Sequence, residues 1–440
     1  MQTWHIQTRC PQCGAPVSLT ETQRVLHCEY CKTRLYLLPK GFQCYLLPPK
    51  KHKDEILFIP FWRIKGMSFV CKMPSKIEAK VIDKTTIALD FPLGFTSLGI
   101  RPQAINLEFA DVKRGIFLSP QFSFKEALQK IKTRSKSNAF RLSHSKMSCN
   151  YKQNILAILG NEEHPSVTVI FHSFIGEVWS LIYFPIFIEE SRQKIILKDG
   201  LSRQNIGDLT LKEWEQFKKK KVSRLPAWQF LPLICPHCGW DIPCDKEAWA
   251  VFCPNCNRGW GVLKNKFVPL HYKVAKTEGK DIFYLPFWQI RATASALSLH
   301  TYADLIRFAN LSKVIKSKHR KIPFYFYIPA FKLNPHQFLK IAKTLTLNQP
   351  DYVYFSQPVP NAHPVILPPT EALEAIKLVM ADIAVPKRYF FPRLKEIEPK
   401  VTQIILLFLP FVKKGIELIL ANKDINLAIP VNALKWGSFL

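Results

Sequence analysis

Two stretches constrain this chain more than any other: CPQCGAPVSLTETQRVLHCEYC, from Cys10 to Cys31, and CPHCGWDIPCDKEAWAVFCPNC, from Cys235 to Cys256. Each sets two CxxC pairs on either side of a fourteen-residue gap, and the second begins 225 residues after the first. A CxxC turn aims two sulfurs at one point, with backbone amides placed to hydrogen-bond them and help hold them deprotonated. Two such turns facing one another complete a four-sulfur tetrahedron, the donor set that suits zinc. Gly14 and Gly239 each follow the second cysteine of a leading pair, where a residue free to adopt positive φ is useful.

These paired knuckles resemble the zinc-ribbon family in its four-cysteine form, over about 25 to 35 residues per copy. Carried onto these positions, the family pattern assigns Cys10, Cys13, Cys28 and Cys31 to one zinc ion and Cys235, Cys238, Cys253 and Cys256 to another. Iron is the alternative metal, although rubredoxin knuckles are set further apart. A zinc ion closed by four cysteines has no open coordination position, so it stabilises a fold and does no chemistry. Cys244 lies between the pairs, but its counterpart at the same offset is Leu19, which marks it as a small core residue. Cys44, Cys71 and Cys149 have no paired neighbours and read as ordinary thiols.

The echo extends beyond the cysteines. ILFIPFWRIKG (Ile56–Gly66) returns as IFYLPFWQIRA (Ile282–Ala292), and LIYFPIFIEE around Pro185 returns as LLFLPFVKKG around Pro410, at offsets of 226 and 225. A weaker pair joins TSLGIRP near Ile100 to YFYIPAF near Ile328. Landmarks in one order at nearly constant offset point to tandem duplication of a unit of roughly 220 residues. Each unit is expected to open with its ribbon and continue into a β-rich lobe, giving an α+β, sheet-dominated fold. The expected division is ribbon 1 over 1–40, lobe 1 over 41–217, a linker at 218–230, ribbon 2 over 231–265 and lobe 2 over 266–440.

Pro60, Pro185, Pro286 and Pro410 sit inside apolar strands, so those strands are expected to end, bulge or lie at an edge there. KIEAKVIDKTTIAL alternates as a half-exposed strand does. Three helices are legible: TLKEWEQFKKKK behind a capping box from Thr210 to Glu213, NPHQFLKIAKTL behind Asn334 with Pro335 at the first position, and PTEALEAIKLVMADI.

The formal charge of +29 divides as +16 over residues 1–224 and +13 over 225–440, so it belongs to both halves and not to a tail. Such a surface attracts phosphate-bearing partners. Two stretches lack acids altogether. Ala127 to Asn161 carries Lys130, Lys132, Arg134, Lys136, Arg141, Lys146 and Lys152; Leu305 to Pro350 carries Arg307, Lys313, Lys316, Lys318, Arg320 and Lys321. The chain has no phosphate-binding glycine loop, HExxH or GxSxG, and no RNP-like or recognition-helix motif, so neither an enzyme nor a base-specific reader is indicated. The longest apolar runs are about half of a membrane span. Twelve cysteines without a secretory leader favour metal ligation in a reducing compartment, hence a cytoplasmic location. The expected function is non-catalytic nucleic-acid binding with little sequence specificity. A protein–protein adaptor or assembly protein, and less readily a binder of anionic membrane surfaces, are the alternatives.

Overall fold

The computed structural model describes residues 4–39, 42–50, 55–91, 96–99, 105–111, 114–129, 169–218, 222, 225, 228–263, 266–279, 281–294, 299–358 and 361–435. The first half contains β1 (His5–Arg9), β2 (Pro16–Thr20), β3 (Val25–His27), β4 (Arg34–Pro39), β5 (Gln43–Leu46), β6 (Ile56–Lys72) and β7 (Lys76–Ile87). It continues through β8 (Leu107–Phe109), β9 (Ile116–Phe117), β10 (Val169–Glu190), β11 (Lys194–Asp199), β12 (Asn205–Thr210) and helix α1 (Leu211–Lys218). After β13 (Trp228–Pro232), the second half holds β14 (Ala250–Phe252), β15 (Gly259–Leu263), β16 (Lys266–Leu270), β17 (Tyr272–Ala275) and β18 (Ile282–Ala294). Then come α2 (Tyr302–Phe308), β19 (Phe326–Pro329), α3 (Pro335–Asn348), β20 (Tyr354–Phe355), α4 (Pro369–Ile383), β21 (Pro399–Lys414), β22 (Glu417–Leu420) and β23 (Ala428–Pro430). The chain is sheet-rich, in keeping with an α+β class. The three helices legible in the sequence form, two of them with the expected caps: Asn334 accepts from Gln337 N at 2.8 Å, and Thr210 exchanges hydrogen bonds with Glu213.

One long antiparallel pair organises each half. In the first, β6 lies against β10 with Phe58 opposite Pro185 and Pro60 opposite Tyr183. In the second, β18 lies against β21 with Tyr284 opposite Pro410 and Pro286 opposite Phe408. The two registers match at these landmarks once the offsets of 226 and 225 are applied. Trp62 and Trp288 correspond as well. Both indoles are buried, and each donates its N–H to a backbone carbonyl, of Phe122 at 2.8 Å and Leu367 at 3.0 Å, as a buried indole must if it is not to lose a hydrogen bond.

The prolines correct the expectation attached to them. No strand ends, bulges or becomes an edge at Pro60, Pro185, Pro286 or Pro410; the register shifts fall elsewhere, for example between Gly176 and Val178. Instead the prolines sit where the outer neighbour changes from one segment to the next. β9 flanks Leu57 and Phe58 while β7 begins at Phe61; β5 stops at Tyr183 while β11 begins at Ile186; β17 stops at Phe408 while β22 begins at Phe411. At that gap a ladder N–H has no acceptor, so a residue without one is well placed. The carbonyls remain in use: they accept from Ala88, Gly200, Ala330 and Ala421 at 2.9–3.0 Å. A second correction concerns the weaker landmark. YFYIPAF contains the buried strand β19, whereas Ser97 and Leu98 of its expected counterpart lie outside any strand and residues 100–104 are outside the described residues.

The halves interlock. β6 and β10 span 17 and 22 residues against 13 and 16 for β18 and β21. The extra length carries Phe69 and Cys71 into the core of the second half, where Met67 and Ile175 from the shared length join them. There Ser173 Oγ donates to Glu374 O at 3.2 Å, and Gly176 N donates to Glu371 Oε2 at 2.6 Å. The ribbons are joined too. β13, which overlaps the expected linker, pairs antiparallel with β4, and the amides of Arg24 and Val25 donate to Lys246 O. Val25, Tyr36 and Leu38 share one apolar cluster with Cys235, Ile242, Cys253 and Trp260.

Glu371 gives this docking a pH dependence. Burial pushes its carboxyl up to about 7, against the Gly176 N–H and Arg24, with Glu374 adding to the rise. A carboxyl held above its ordinary value of 4.5 keeps its proton in the native state while the unfolded chain releases it. Its contribution to stability therefore declines between about pH 4.5 and 7, by up to about 3 kcal/mol. Glu371→Gln should flatten that decline in denaturant-unfolding midpoints compared at pH 5 and pH 8.

Candidate metal centres

Each ribbon is a pair of hairpin turns whose local hydrogen bonds follow from the CxxC spacing. In the leading knuckles, Gly14 N donates to Cys10 O at 2.8 Å and Cys10 N to Ala15 O at 2.8 Å; Gly239 N donates to Cys235 O at 2.9 Å and Cys235 N to Trp240 O at 2.8 Å. Gly14 and Gly239 take φ of 75° and 73°, the left-handed conformation expected of them. The trailing knuckles turn the same way through Lys32 and Asn257, at φ 59° and 57°. Asparagine visits that region readily. Lysine does not, and nothing in the sequence marked Lys32 for it.

The turns bring together the two sets of four cysteines anticipated from the spacing. Within each set all four sulfurs lie within 4.8 Å of one another. Sγ of Cys10 is 3.7 Å from that of Cys31, and Cys13 is 3.6 Å from Cys28. The corresponding separations in ribbon 2 are 3.6 Å for Cys235 and Cys256 and 3.5 Å for Cys238 and Cys253. A tetrahedron with Zn–S bonds of about 2.3 Å has edges of about 3.8 Å, so both sets fit zinc with little rearrangement. Cys44 and Cys71 are buried away from the cages, Cys244 belongs to neither, and Cys149 is outside the described residues.

The protein matrix favours thiolates at particular sulfurs. The Thr33 hydroxyl and amide lower Cys31 to about 6, and the Asn255 side chain with the Trp240 amide lowers Cys238 to about 6. Cys13 moves to about 12 although the Ala15 amide favours its thiolate, and burial with the adjacent sulfurs raises Cys256 to about 12. Four sulfurs this close repel one another once ionised, and a divalent cation at the centre removes that repulsion.

The basic stretches separate into two cases. Lys130, Lys132, Arg134, Lys136, Arg141, Lys146 and Lys152 lie outside the described residues. Lys313, Lys316, Lys318, Arg320 and Lys321 lie on the segment that folds back over α2, where Tyr302 N donates to Ile322 O at 2.9 Å, and all but the half-buried positions between them face solvent. Among the described residues none of these five is ion-paired; Lys313 Nζ instead reaches the Tyr302 hydroxyl at 2.9 Å. Arg307 differs, because Asp304 binds it at 3.1 Å.

Two further polar features carry no mark in the sequence. Beneath ribbon 1, Arg63 is buried against both Glu21 oxygens at 3.0 and 3.1 Å, pairs with Asp83, and lies 3.8 Å from the Trp4 ring, with Lys65 at 3.5 Å from Glu21. Glu371, described above, lines a cavity between the ribbons and α4. Neither Arg63 nor Glu371 sits in a motif, and only the packing reveals their burial.

The chain matches no protein-family model, no curated protein and no solved structure. Among the described residues, no helix is long and apolar enough to cross a membrane.

Proposed function

We propose that the protein is a non-catalytic, two-zinc ribbon protein, built by duplication of one unit, that holds nucleic acid through basic surfaces with little sequence specificity. The observation that carries the binding reading is the run of five cations from Lys313 to Lys321 with no acid paired to them among the described residues. Lys and Arg held in this state neutralise phosphates and release counterions. The duplication is supported by the shared register of the two central strand pairs, by the matching prolines and by the corresponding tryptophans. The two cages brace the strands and leave no open coordination position for chemistry.

Replacing Lys313, Lys316, Lys318, Arg320 and Lys321 together by glutamine should reduce the slope of log affinity against log salt for a single-stranded oligonucleotide by up to about 3.5, near 0.7 for each phosphate no longer neutralised. Fluorescence anisotropy over a salt series measures this. An unchanged slope would remove the segment from the interface. Val314 and Ile322, 82% and 45% exposed beside the same cations, favour an anionic lipid surface as the second reading. Sedimentation with anionic but not neutral vesicles, in the absence of oligonucleotide binding, would select it.

A further inference from the structure

A cavity of about 540 Å³ opens where ribbon 1, ribbon 2, the register shift of β10 and helix α4 meet. Its wall includes Glu371, Arg24, Gln43, Trp179, Trp249 and Phe42. The volume falls in the range of small-molecule sites, and the lining has their character: aromatic surface with a few convergent polar groups.

Gly176 builds the polar end. Its N–H donates to Glu371 Oε2 at 2.6 Å, and a Cβ at this position would lie 1.7 Å from Trp179 Nε1. One side-chain-free residue thus brings a buried carboxyl and an indole to the same place. Trp179 is stacked on Phe124 at 4.9 Å yet remains 38% exposed. The neighbouring Glu21 is neutralised by Arg63 and Lys65. Among the described residues no cation is bonded to Glu371 in this way: burial holds it above its ordinary range, and the charged groups around it are Glu374, which raises it, and Arg24, which lowers it. A buried carboxyl of this kind in a cavity wall carries a cost that a ligand's donors would offset.

The polar groups select the ligand. A carboxylate accepts from two adjacent N–H groups, and a guanidinium donates to two adjacent acceptors. Guanine alone among the bases offers both, N1–H and N2–H on one edge and O6 and N7 on the next. Adenine places its amino donor where Arg24 needs an acceptor. We propose that this cavity takes one unstacked guanine base, with Glu371 releasing its proton to solvent and accepting as a carboxylate from N1–H and N2–H, Arg24 donating toward O6 and N7, and the indoles supplying stacking surface. The inference deepens the nucleic-acid reading and rests on it: backbone phosphates would bind the basic surfaces while one base is read here.

The test titrates the full, zinc-loaded chain with GMP, AMP, CMP and UMP, following tryptophan fluorescence, and then with two single-stranded oligonucleotides that differ by one guanine. GMP and the guanine-containing strand should bind at least about tenfold more tightly than their counterparts. Glu371→Gln and, separately, Arg24→Gln should each abolish that preference while leaving the salt slope for the guanine-free strand unchanged. Thermal unfolding of both variants establishes that they fold, and the second serves if the first does not. Equal affinities for all four nucleotides and for both strands overturn the guanine site while leaving salt-steep binding, and with it the proposed function, intact. If neither strand binds at any salt, the nucleic-acid reading fails. In that case GMP selectivity sensitive to Glu371→Gln would assign the cavity to a free guanine nucleotide, and its absence would overturn the site as well.

Discussion

Replacing Cys235 and Cys238 by serine is expected to release one zinc ion per chain and to loosen both ribbons, not one. Structural zinc in zinc-finger peptides contributes an apparent binding free energy of about 10–16 kcal/mol at neutral pH, comparable to the whole net stability of a typical domain, about 5–15 kcal/mol. The packing says where the loss travels. Cys235 and Cys253 share their apolar cluster with Val25, Tyr36 and Leu38 of ribbon 1, and β13 supplies the outer partner of β4. Loss of the second metal therefore unseats a strand of the first ribbon. Cys10 and Cys28 pack in a different cluster, with Ile59, Phe61 and Phe184 of the first lobe. Cys10→Ser with Cys13→Ser should accordingly disturb the first lobe more than the second cage. Zinc content by atomic emission and limited proteolysis around residues 20–39 distinguish the two variants. Retention of full ribbon 1 protection after Cys235 and Cys238 are replaced would contradict the coupling.

Arg63→Met should be the most damaging single substitution away from the cysteines, at about 3–5 kcal/mol in denaturant unfolding. Arg63 is buried on the central strand β6 and satisfies Glu21 of ribbon 1 and Asp83 of β7 at once, with Trp4 against its guanidinium. Among the described residues, its removal leaves Glu21 with Lys65, at 3.5 Å, as its bonded cation in a buried setting. Adding Glu21→Gln should recover a large part of the loss, because most of the cost is the stranded carboxylate and not the missing attraction. If the double variant were no more stable than Arg63→Met, the loss would lie in packing around the guanidinium stem.

Features governed by local spacing were legible. The glycine turns, the helix caps and the apolar Pro-Phe strands rest on residues within a few positions of one another, and each cage on two such turns fourteen residues apart. The prolines mark the limit of local spacing. Pro60 reads as a strand breaker because its missing N–H is a local fact, but its harmlessness depends on β9 and β7 meeting beside it, and those strands come from distant residues. The same limit hid the buried charges. Arg63 sits one position after a tryptophan in an apolar run, and its partners lie 42 residues before it and 20 after it. Glu371 reads as an ordinary first-turn acid of an amphipathic helix, and only the insertion of β10 from the other half buries it. The difference in arm length between the halves, which lets them interlock, leaves no trace in the offsets because the repeated motifs lie outside the extra length.

The proposed union of two zinc cages with exposed cations that hold nucleic acid is tested most directly by purifying the full chain without chelator, counting metal per chain, and following release of co-purified nucleic acid across a salt gradient in the same sample. Two zinc ions per chain are expected, one for each set of four cysteines, together with nucleic acid that leaves steeply as salt rises. Two zinc ions on a chain free of nucleic acid, and unable to bind an added oligonucleotide at low salt, would contradict it.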